Sequence, residues 1–370
     1  MTRKIYVIAG EASGDLHGSS LINEIRAQST QPVEIYGVGG GKIRETGALS
    51  FYDLARFHVT GFTDVIKRLP QYTKAKKIIL DGIKKTRPDL VVLIDNPGFN
   101  LHLAQKIHAL SIPIVYYIAP QVWAWAPKRI LKIKAYVKKV LVVFEFEKKI
   151  YEENHVPVVW VGHPIKDLMS GVHEKKPAGK TIALLPGSRK GELKMLFPVL
   201  AGAARKIMEK IPSVDFALIK APTLSRKFYE RFIKEELRGL RCTLVEEDSY
   251  AAIKGSDLAI VCSGTATLEC ALLGVPMIVT NKGTFLTYLI AKNLAKVKYL
   301  GLPNLILGKE SFPEFLQYDA TPEKISGMAV KILTDKRLQQ TMKKDLEEVS
   351  RKLGDLGATR RAAQEVLIAL

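Results

Sequence analysis

Short apolar runs rich in β-branched residues recur along the chain, and segments long enough for a helix separate them. In the first half the predicted strands are Lys4–Ala9, Val33–Val38, Leu90–Asp95, Ile114–Ala119 and Val140–Phe144. In the second half they are Thr181–Leu185, Asp215–Ile219, Cys242–Val245, Leu258–Cys262 and Pro276–Thr280. Continuously apolar strands that alternate with helices are typical of parallel sheets whose two faces are both covered.

This alternation is interrupted between Gly162 and Lys180, where prolines and a cluster of lysines predict a linker. We therefore predict an α/β protein with two Rossmann-like doubly wound domains that face a central cleft. The predicted boundaries are 1–163 for the first domain, 164–345 for the second, and 346–370 for a helical tail that packs on the first domain or on a partner subunit. Ligands of such sheets bind outside the carboxyl ends of the strands, so the loops there are the candidate sites.

The charge balance predicts an anionic partner. The chain of 370 residues has 56 Lys and Arg against 37 Asp and Glu, which gives a net charge of +19. Nucleic acid, anionic lipid and a phosphorylated substrate are the alternatives. A nucleic-acid-binding protein is suggested by charge alone, since the chain has no recognisable RNA- or DNA-binding motif, and we predict no nucleic-acid partner.

Cysteine usage and the distribution of apolar residues favour a cytoplasmic protein. Cys242, Cys262 and Cys270 are odd in number and lie in apolar contexts, as reduced core cysteines do. The amino-terminal residues lack the apolar core of a signal peptide. No run reaches the roughly 18 apolar residues of a membrane span, so any membrane contact is predicted to be peripheral.

The turn after the first predicted strand, AGEASGDLHG at 9–18, combines glycines with acidic and hydroxyl side chains. Its spacing is not that of a dinucleotide fingerprint, and its carboxylates would repel a pyrophosphate. Glu11, Ser13 and Asp15 instead suit a neutral ligand rich in hydroxyl groups. The alternative is a tight turn with a capped helix, since Ser13 and Asp15 are good capping types.

Two loops in the second half predict a site for a nucleotide diphosphate. The sequence TIALLPGSRKGE at 181–192 is a strand, a turn and a helix start. Gly187 there admits a ligand to the backbone, Ser188 offers a hydroxyl and Arg189 can contact phosphate.

The second loop lies in LAIVCSGTATLECA at 258–271, where a strand is followed by Ser263, Gly264, Thr265 and Ala266 at a helix start. Free N–H groups and the helix dipole there would hold a diphosphate without a metal, and Glu269 would reach ribose hydroxyls. Each loop alone is equally well explained as a capped helix, and their joint presence favours the nucleotide site.

Several motifs are absent from the sequence. It has no phosphate-binding G-x-x-x-x-G-K-[ST], no D-x-D, no H-E-x-x-H and no G-x-S-x-G. We therefore predict neither a metal nor a cofactor. His163 is interpreted as a hinge or cap residue rather than a ligand.

Seven motifs together resemble those of the lipid-A-disaccharide synthase family in order and spacing, over nearly the whole chain. They are AGEASGD at 9–15, IDNPGFN at 94–100, QVWAWAPKR at 121–129, GHP at 162–164, LLPGSR at 184–189, SGTATLEC at 263–270 and LPNL at 302–305. The family is similar to other two-Rossmann-domain (GT-B) inverting glycosyltransferases. The resemblance implies transfer of a diacylglucosaminyl group from UDP-2,3-diacylglucosamine to 2,3-diacylglucosamine 1-phosphate. The alternative on the same fold is a UDP-N-acetylglucosamine 2-epimerase.

The resemblance also implies roles for residues of these motifs. Asp95 is the expected catalytic base, and it acts without a second carboxylate because an acid often found three residues after this aspartate is Gly98 here. Glu11 is the alternative base, since its turn borders the same predicted cleft. An alternative role for Asp95 is to cap the following helix. Asn304 is expected to bind the donor. The expected acceptor-binding residues are Ser13, Asp15, Asn100 and Gln121.

Two basic stretches, Ile66–Pro88 and Trp123–Lys139, interleave lysine and arginine with aromatic and aliphatic residues. Such interleaving suits an anionic bilayer surface. We therefore predict a peripheral protein on the inner face of the inner membrane, with a possible homodimer through the C-terminal region. The alternative is a set of solvated helix faces whose apolar sides are buried.

Overall fold

A computed structural model describes residues 2–53, 69–123, 127–283 and 298–370. The chain forms two compact units. Unit 1 consists of residues 1–167 and 353–370, and unit 2 consists of residues 168–352. The sequence-based boundaries, after 163 and after 345, lie a few residues before these divisions.

Unit 1 contains a parallel seven-stranded sheet with the order β3-β2-β1-β4-β5-β6-β7. Its strands are β1 (Arg3–Ala9), β2 (Val33–Gly39), β3 (Leu49–Asp53), β4 (Leu90–Ile94), β5 (Ile114–Tyr117), β6 (Lys139–Val142) and β7 (Val158–Trp160). Its described helices are α1 (Ala12–Gln28), α2 (Gly41–Glu45), α3 (Leu69–Thr86), α4 (Pro97–His108), α5 (Arg129–Tyr136), α6 (Glu145–Glu153), α7 (Ile165–Met169), which runs into unit 2, and, after the return of the chain, α15 (Ala358–Ala369).

Unit 2 contains a parallel six-stranded sheet with the order β10-β9-β8-β11-β12-β13. Its strands are β8 (Thr181–Leu185), β9 (Asp215–Ile219), β10 (Cys242–Val245), β11 (Leu258–Cys262), β12 (Met277–Asn281) and β13 (Glu314–Leu316). Its described helices are α8 (Lys190–Lys210), α9 (Arg226–Glu236), α10 (Ser249–Lys254), α11 (Thr265–Leu272), α12 (Leu302–Leu307), α13 (Pro322–Thr334) and α14 (Lys336–Lys352).

The central strands are buried along their whole length. Every residue of β4 (LVVLI), β8 (TIALL) and β11 (LAIVC) is buried. Strands of this kind need helices on both faces of the sheet, which explains why continuous apolar runs predicted them correctly. Both sheets have the Rossmann strand order, in which the direction of winding reverses beside the first strand.

The strands that the apolar pattern missed are the edge strands β3, β7 and β13. Strands β7 (VVW) and β13 (EFL) have only three residues each, and the sequence of β3, LSFYD, interrupts its apolar residues with a serine and ends on an aspartate. The predicted linker also contains α7, a short helix at Ile165–Met169. The last helix, α15, packs against α1 within unit 1.

Candidate active site

The acceptor-side candidates lie at the carboxyl end of the unit 1 sheet, where β1 and β4 are neighbours and the winding direction reverses. Ala9 at the end of β1 is in register with Ile94 at the end of β4. The turn that begins at Gly10 therefore lies beside the turn that begins at Asp95. In open α/β sheets this edge is the place where ligands bind.

The two turns are in close contact at Gly10. A Cβ atom at position 10 would lie 2.2 Å from Nδ2 of Asn96. A larger residue there would therefore have to displace the Asn96 side chain. Glu11, the next residue, is the N-cap residue of α1 and is partly exposed.

The backbone at Asp95 is unusual, and neighbouring side chains hold it. Asp95 and Asn96 both have left-handed φ angles, of +48° and +45°. Asn100 Nδ2 donates to the carbonyl oxygens of Ile94 at 3.0 Å and Asp95 at 2.7 Å. The hydroxyl of Tyr116 also donates to the Asp95 carbonyl, at 2.8 Å. Strained backbone persists only where surrounding contacts enforce it, and it is concentrated at functional sites.

The environment of the Asp95 carboxyl favours its protonated form. Burial, followed by the negative charge of Glu11, raises its pKa from 3.8 to about 6, although a hydrogen bond from the Asn96 backbone opposes the shift. A carboxyl with this pKa is ionised at neutral pH and still takes up a proton more readily than an ordinary aspartate. Both properties are required of a general base.

Two predicted acceptor residues have structural contacts instead. Asp15 is buried, and its carboxylate accepts from the N–H groups of Gly40 at 2.6 Å, Lys42 at 2.9 Å and Ile43 at 3.1 Å. It therefore caps α2 rather than its own helix. Asn100 is fully buried beneath the Asp95 turn, so its contacts support a positioning role.

The loop after β5 carries Gln121, which is partly exposed. Helix α6 holds this loop at two points. The hydroxyl of Tyr151 donates to the carbonyl of Pro120 at 2.9 Å, and the indole N–H of Trp123 donates to Glu147 Oε1 at 3.0 Å. Burial raises the pKa of Glu147 to about 7. Ser13 lies in the first turn of α1 and is partly exposed.

His163 and His17 are both buried in unit 1, with their ring centroids 6.4 Å apart. His163 Nδ1 accepts from the N–H of Ile165, the first residue of α7, at 3.2 Å. Burial lowers the pKa of His163 to about 3 and that of His17 to about 4. Both rings are therefore neutral at physiological pH, and His163 has the contact of a cap residue.

In unit 2 the two donor-side loops also meet where the winding direction reverses, because β8 and β11 are neighbours. The loop after β8 is bent at Gly187, which has a φ of +109°. Ser188 and Arg189 follow and are exposed. The hydroxyl of Thr223 donates to the carbonyl of Ser188 at 2.7 Å and fixes the bend.

The loop after β11 begins helix α11. Gly264, the N-cap residue, has a φ of +139°. Thr265 and Ala266 are the first residues of the helix, where backbone N–H groups have no intrahelical acceptor and the helix dipole is positive. Asn281, at the end of β12, donates from Nδ2 to the Ser263 hydroxyl. This edge can therefore bind an anion.

Glu269 lies one turn into α11 and is partly buried. Burial raises its pKa, while a hydrogen bond from the Tyr250 hydroxyl, at 3.4 Å, partly opposes the shift. The contact orients the carboxyl, and it leaves Oε2 available to accept from a ligand hydroxyl.

Asn304 has a different role from the predicted one. It is fully buried, and Nδ2 donates to the carbonyl of Phe312 at 2.7 Å and to Glu314 Oε1 at 2.8 Å. Its Oδ1 accepts from the N–H groups of Ser311 and Phe312, each at 2.9 Å. These contacts occupy both the Nδ2 donor and the Oδ1 acceptor of the amide, and they hold the chain segment that leads into β13. The side chain therefore has no polar atom left to bind a nucleotide.

Sequence reasoning missed the residues that orient the site: Tyr116, Thr223, Tyr250 and Asn281. Asn281 had a detectable signal, because it is a polar residue directly after a predicted apolar strand. The others lie far in sequence from the groups they contact. Among the described residues no group of three or more His, Cys, Asp or Glu side chains is arranged to hold a metal ion. No helix in the described ranges is long and apolar enough to cross a membrane.

Fold and loop placement together define a class of protein with two Rossmann-like units, as found in GT-B glycosyltransferases. A solved UDP-GlcNAc 2-epimerase from Neisseria meningitidis bound to UDP-GlcNAc is similar in fold, with a TM-score of 0.69, 12% identity and coverage of 99% of this chain and 100% of that chain. The glycotransferase of kitacinnamycin has a TM-score of 0.69, 15% identity and full coverage of both chains. At these identities the likeness shows the shared fold alone.

The family follows from sequence comparison. The family model described as lipid-A-disaccharide synthetase matches residues 5–369. Lipid-A-disaccharide synthase of Syntrophus aciditrophicus is 38% identical, with coverage of 98% of this chain and 96% of that protein. The Myxococcus xanthus protein of the same name is 34% identical, with coverage of 98% and 97%. The chain belongs to the lipid-A-disaccharide synthase family, whose members are glycosyltransferases.

Proposed function

We propose that this protein transfers the 2,3-diacylglucosaminyl group of UDP-2,3-diacylglucosamine to 2,3-diacylglucosamine 1-phosphate, with inversion. The products are a β(1→6)-linked disaccharide 1-phosphate and UDP. The observation that carries the proposal is the family match over residues 5–369. The placement of Asp95 near Glu11, at the edge where β1 and β4 meet, supports it. In a chain of this family, such a carboxyl fits the base that an inverting transfer requires.

In the proposed reaction Asp95 takes the proton of the acceptor 6-hydroxyl as that oxygen attacks the anomeric carbon. The new carbon–oxygen bond forms on the face opposite UDP, and the bond to the diphosphate oxygen breaks with its electron pair leaving on UDP. Glu11 remains the alternative base. A positioned base contributes a rate gain of typically about 10²–10⁴-fold.

The donor diphosphate is proposed to bind the loops of unit 2. Ser188 and Arg189 after β8 and the first N–H groups of α11 supply hydrogen bonds and positive charge to the leaving group. Gly187, Ser263, Gly264, Thr265 and Ala266 complete the proposed cradle, and Glu269 is proposed to accept from ribose hydroxyls. These groups stabilise the leaving UDP without a metal ion.

One assay tests the proposed reaction against the epimerase alternative. The enzyme is incubated with UDP-2,3-diacylglucosamine, with and without 2,3-diacylglucosamine 1-phosphate, and UDP release is measured. The proposal predicts rapid UDP release only when both sugars are present. Conversion of unacylated UDP-N-acetylglucosamine to its 2-epimer, without net UDP release, would contradict it.

We also propose peripheral attachment to the inner face of the inner membrane, since both substrates carry acyl chains. Part of the predicted surface, including 66–68 and Trp125, lies outside the described residues. In α3 the apolar residues Ala75, Ile79 and Ile83 are buried in the unit 1 core. Lys74, Lys77, Lys84 and Lys85 are exposed. This helix therefore offers a membrane its charges rather than its apolar side.

Exposed lysines on unit 1 and unit 2 provide a matched test of this attachment. Replacing Lys74, Lys77 and Lys84 with Glu should release the protein from vesicles containing anionic lipid, because each basic residue near the surface contributes about 1 kcal/mol. The control replaces three exposed lysines of α14, which changes the net charge equally: Lys336, Lys343 and Lys344. Equal release of both variants would reject α3 as the contact.

A homodimer through the C-terminal region is a further proposal. Helix α15 packs on its own unit 1 and leaves Ile368 exposed, while Leu356 just before it is also exposed. Sedimentation of the parent and of a Leu356→Glu, Ile368→Glu variant tests it. The proposal predicts a dimer for the parent and a monomer for the variant, and identical sedimentation would contradict it.

A further inference from the structure

The N-cap residue of α8, Arg189, forms a charge pair with Glu192 of the first turn, within the proposed diphosphate cradle. Arg189 Nη1 lies 2.9 Å from Glu192 Oε1, and the two side chains are 47% and 26% exposed. The other carboxylate oxygen, Oε2, accepts from the backbone N–H of Ser188 at 3.3 Å. Glu192 therefore folds back from the helix toward the loop that precedes it.

The bend at Gly187 accommodates this carboxylate. A Cβ atom at position 187 would lie 2.7 Å from Glu192 Oε2 and 3.1 Å from Glu192 Cβ. The side chain of Glu192 thus occupies the space directly over the bend. A ligand that approached the backbone at Gly187 would meet this carboxylate first.

The two donors that Glu192 engages are the groups that a diphosphate would use. A backbone N–H beside a helix start and a guanidinium are both typical ligands of phosphate oxygens. A carboxylate likewise offers negatively charged oxygen acceptors to both donors. Because like charges repel, Glu192 and a bound diphosphate would not share these donors.

We infer that Glu192 competes internally with the UDP diphosphate: it binds Ser188 N–H and Arg189 in the free protein and gives them up when nucleotide binds. This inference rests on the proposed donor site. The carboxylate then returns as UDP leaves, which lowers the affinity for the product and favours its release. The exposure of the pair matches this exchange, since a solvated ion pair costs little to break.

An alternative role for Glu192 is purely structural. Acidic residues in the first turn of a helix are stabilised by the helix dipole, and this one would then serve α8 alone. A second alternative is that Glu192 orients Arg189 toward the nucleotide. The three roles differ in the sign of their effect on UDP affinity, so a binding measurement separates them.

The test measures UDP affinity by calorimetry for the parent and for Glu192→Gln, which keeps the size of the side chain and removes its charge. We expect the variant to bind UDP about 3- to 10-fold more tightly at low salt, and the difference to shrink at high salt. Glu192→Ala should shift the affinity in the same direction. Uridine, which lacks the diphosphate, should bind parent and variant equally.

A control variant tests the effect of net charge alone. Glu209 is exposed near the far end of the same helix, and Glu209→Gln should leave UDP affinity unchanged. Thermal stability measured without ligand provides a second test. Glu192→Gln should be slightly less stable than the parent, because it loses the ion pair, and should nevertheless bind UDP more tightly. A merely structural role would lower stability and leave affinity unchanged.

The failure of this inference is distinguishable from failure of the donor site. Weaker or unchanged UDP binding by Glu192→Gln, with a clear loss of affinity in Arg189→Ala, would overturn the inference and preserve the site. Equal UDP binding by the parent and Arg189→Ala would remove Arg189 from the cradle and overturn both.

Discussion

The carboxyl edges of the two sheets are built on the same strand order and have opposite chemical character. In unit 1 the edge presents two carboxylates, Glu11 and Asp95, and burial raises the pKa of Asp95. In unit 2 it presents an exposed guanidinium and the start of a helix. A base benefits from a low-dielectric setting that raises its proton affinity, whereas an anchor for a departing anion must exchange partners readily.

The two edges also differ in the residue types at their left-handed backbone positions. In unit 1 the left-handed positions at the β4 end are Asp95 and Asn96, whose strained backbone is held by hydrogen bonds from buried neighbours. At the ends of β8 and β11 in unit 2 the left-handed positions are Gly187 and Gly264, which adopt that conformation without strain. The unit 1 edge therefore holds the Asp95 side chain in one position, whereas the glycines of the unit 2 edge leave the main chain accessible to a ligand.

The largest expected effect comes from Asp95→Asn, which keeps the shape of the side chain and removes its basicity. The change should lower kcat by at least about 10²-fold while UDP affinity stays near parental, because binding the donor does not require proton transfer. The control is Asp89→Asn, at the opposite end of β4. Turnover within a few fold of the parent would show that Asp95 is not the base.

The effect of Asp95→Asn on the stability of the protein also has a predicted direction. Because the pKa of Asp95 is raised in the folded protein, its ionised form costs stability, and that cost appears as pH rises through the range from about 4 to about 6. Asp95→Asn should therefore be at least as stable as the parent at pH 8. Unfolding of the variant would instead favour the helix-capping role of Asp95.

The next effect concerns the support beneath this edge. Asn100→Ala leaves the carbonyls of Ile94 and Asp95 without their amide donor, so it should lower the free energy of unfolding by about 2–4 kcal/mol. It should also reduce kcat, because the Asp95 turn loses its support. Asn154→Ala, which removes an amide donor from α6, is the matched control for denaturant unfolding. Equal stability of the two variants would reject the positioning role.

On the donor edge, Arg189→Ala should weaken UDP binding by about 1.5–3 kcal/mol, the contribution of a hydrogen bond to a charged group. The exposure of Arg189 to solvent favours the lower end of this range. A variant with full UDP affinity would remove the main contrast between the two edges, since unit 2 would no longer supply the cationic side chain.

The smallest expected effect is that of a chelator. If the leaving diphosphate is stabilised by Arg189 and by helix α11, EDTA should leave the rate within about twofold of the untreated value. Loss of activity that Mg²⁺ restores would show that the leaving group needs a metal, and the account of the donor edge would then be wrong.

The sequence predicted the central fold because its signal is local. Continuous apolar runs located β4, β8 and β11, and the glycine turns predicted after β1 and β8 lie at the carboxyl edges of the two sheets. Edge strands such as β13 gave no such signal, because their pairing depends on a neighbour far along the chain and not on their own short pattern. The C-terminal helical tail was predicted to pack on the first domain or on a partner subunit, and α15 packs against α1 within unit 1.

The sheet edges that carry the candidate site were predictable from the sequence, and the contacts of individual side chains were not. Asp15 and Asn304 fit a hydroxyl-rich or nucleotide ligand by residue type. The structure shows that backbone groups use their polar atoms, together with the Glu314 carboxylate in the case of Asn304. A polar side chain at a strand end has the same sequence signature whether it binds a ligand or supports the loop. Only its contacts distinguish the two.

The pH dependence of kcat/KM, measured for the parent and for Glu11→Gln, tests the central claim that Asp95 is the base. If Asp95 is the base, the rate of the parent should rise with pH through an apparent pKa of about 6. Removing the charge of Glu11 should move this rise to lower pH and preserve most of kcat, because that charge helps to raise the pKa of Asp95. Loss of activity in Glu11→Gln, or a rise that does not move, would contradict the account.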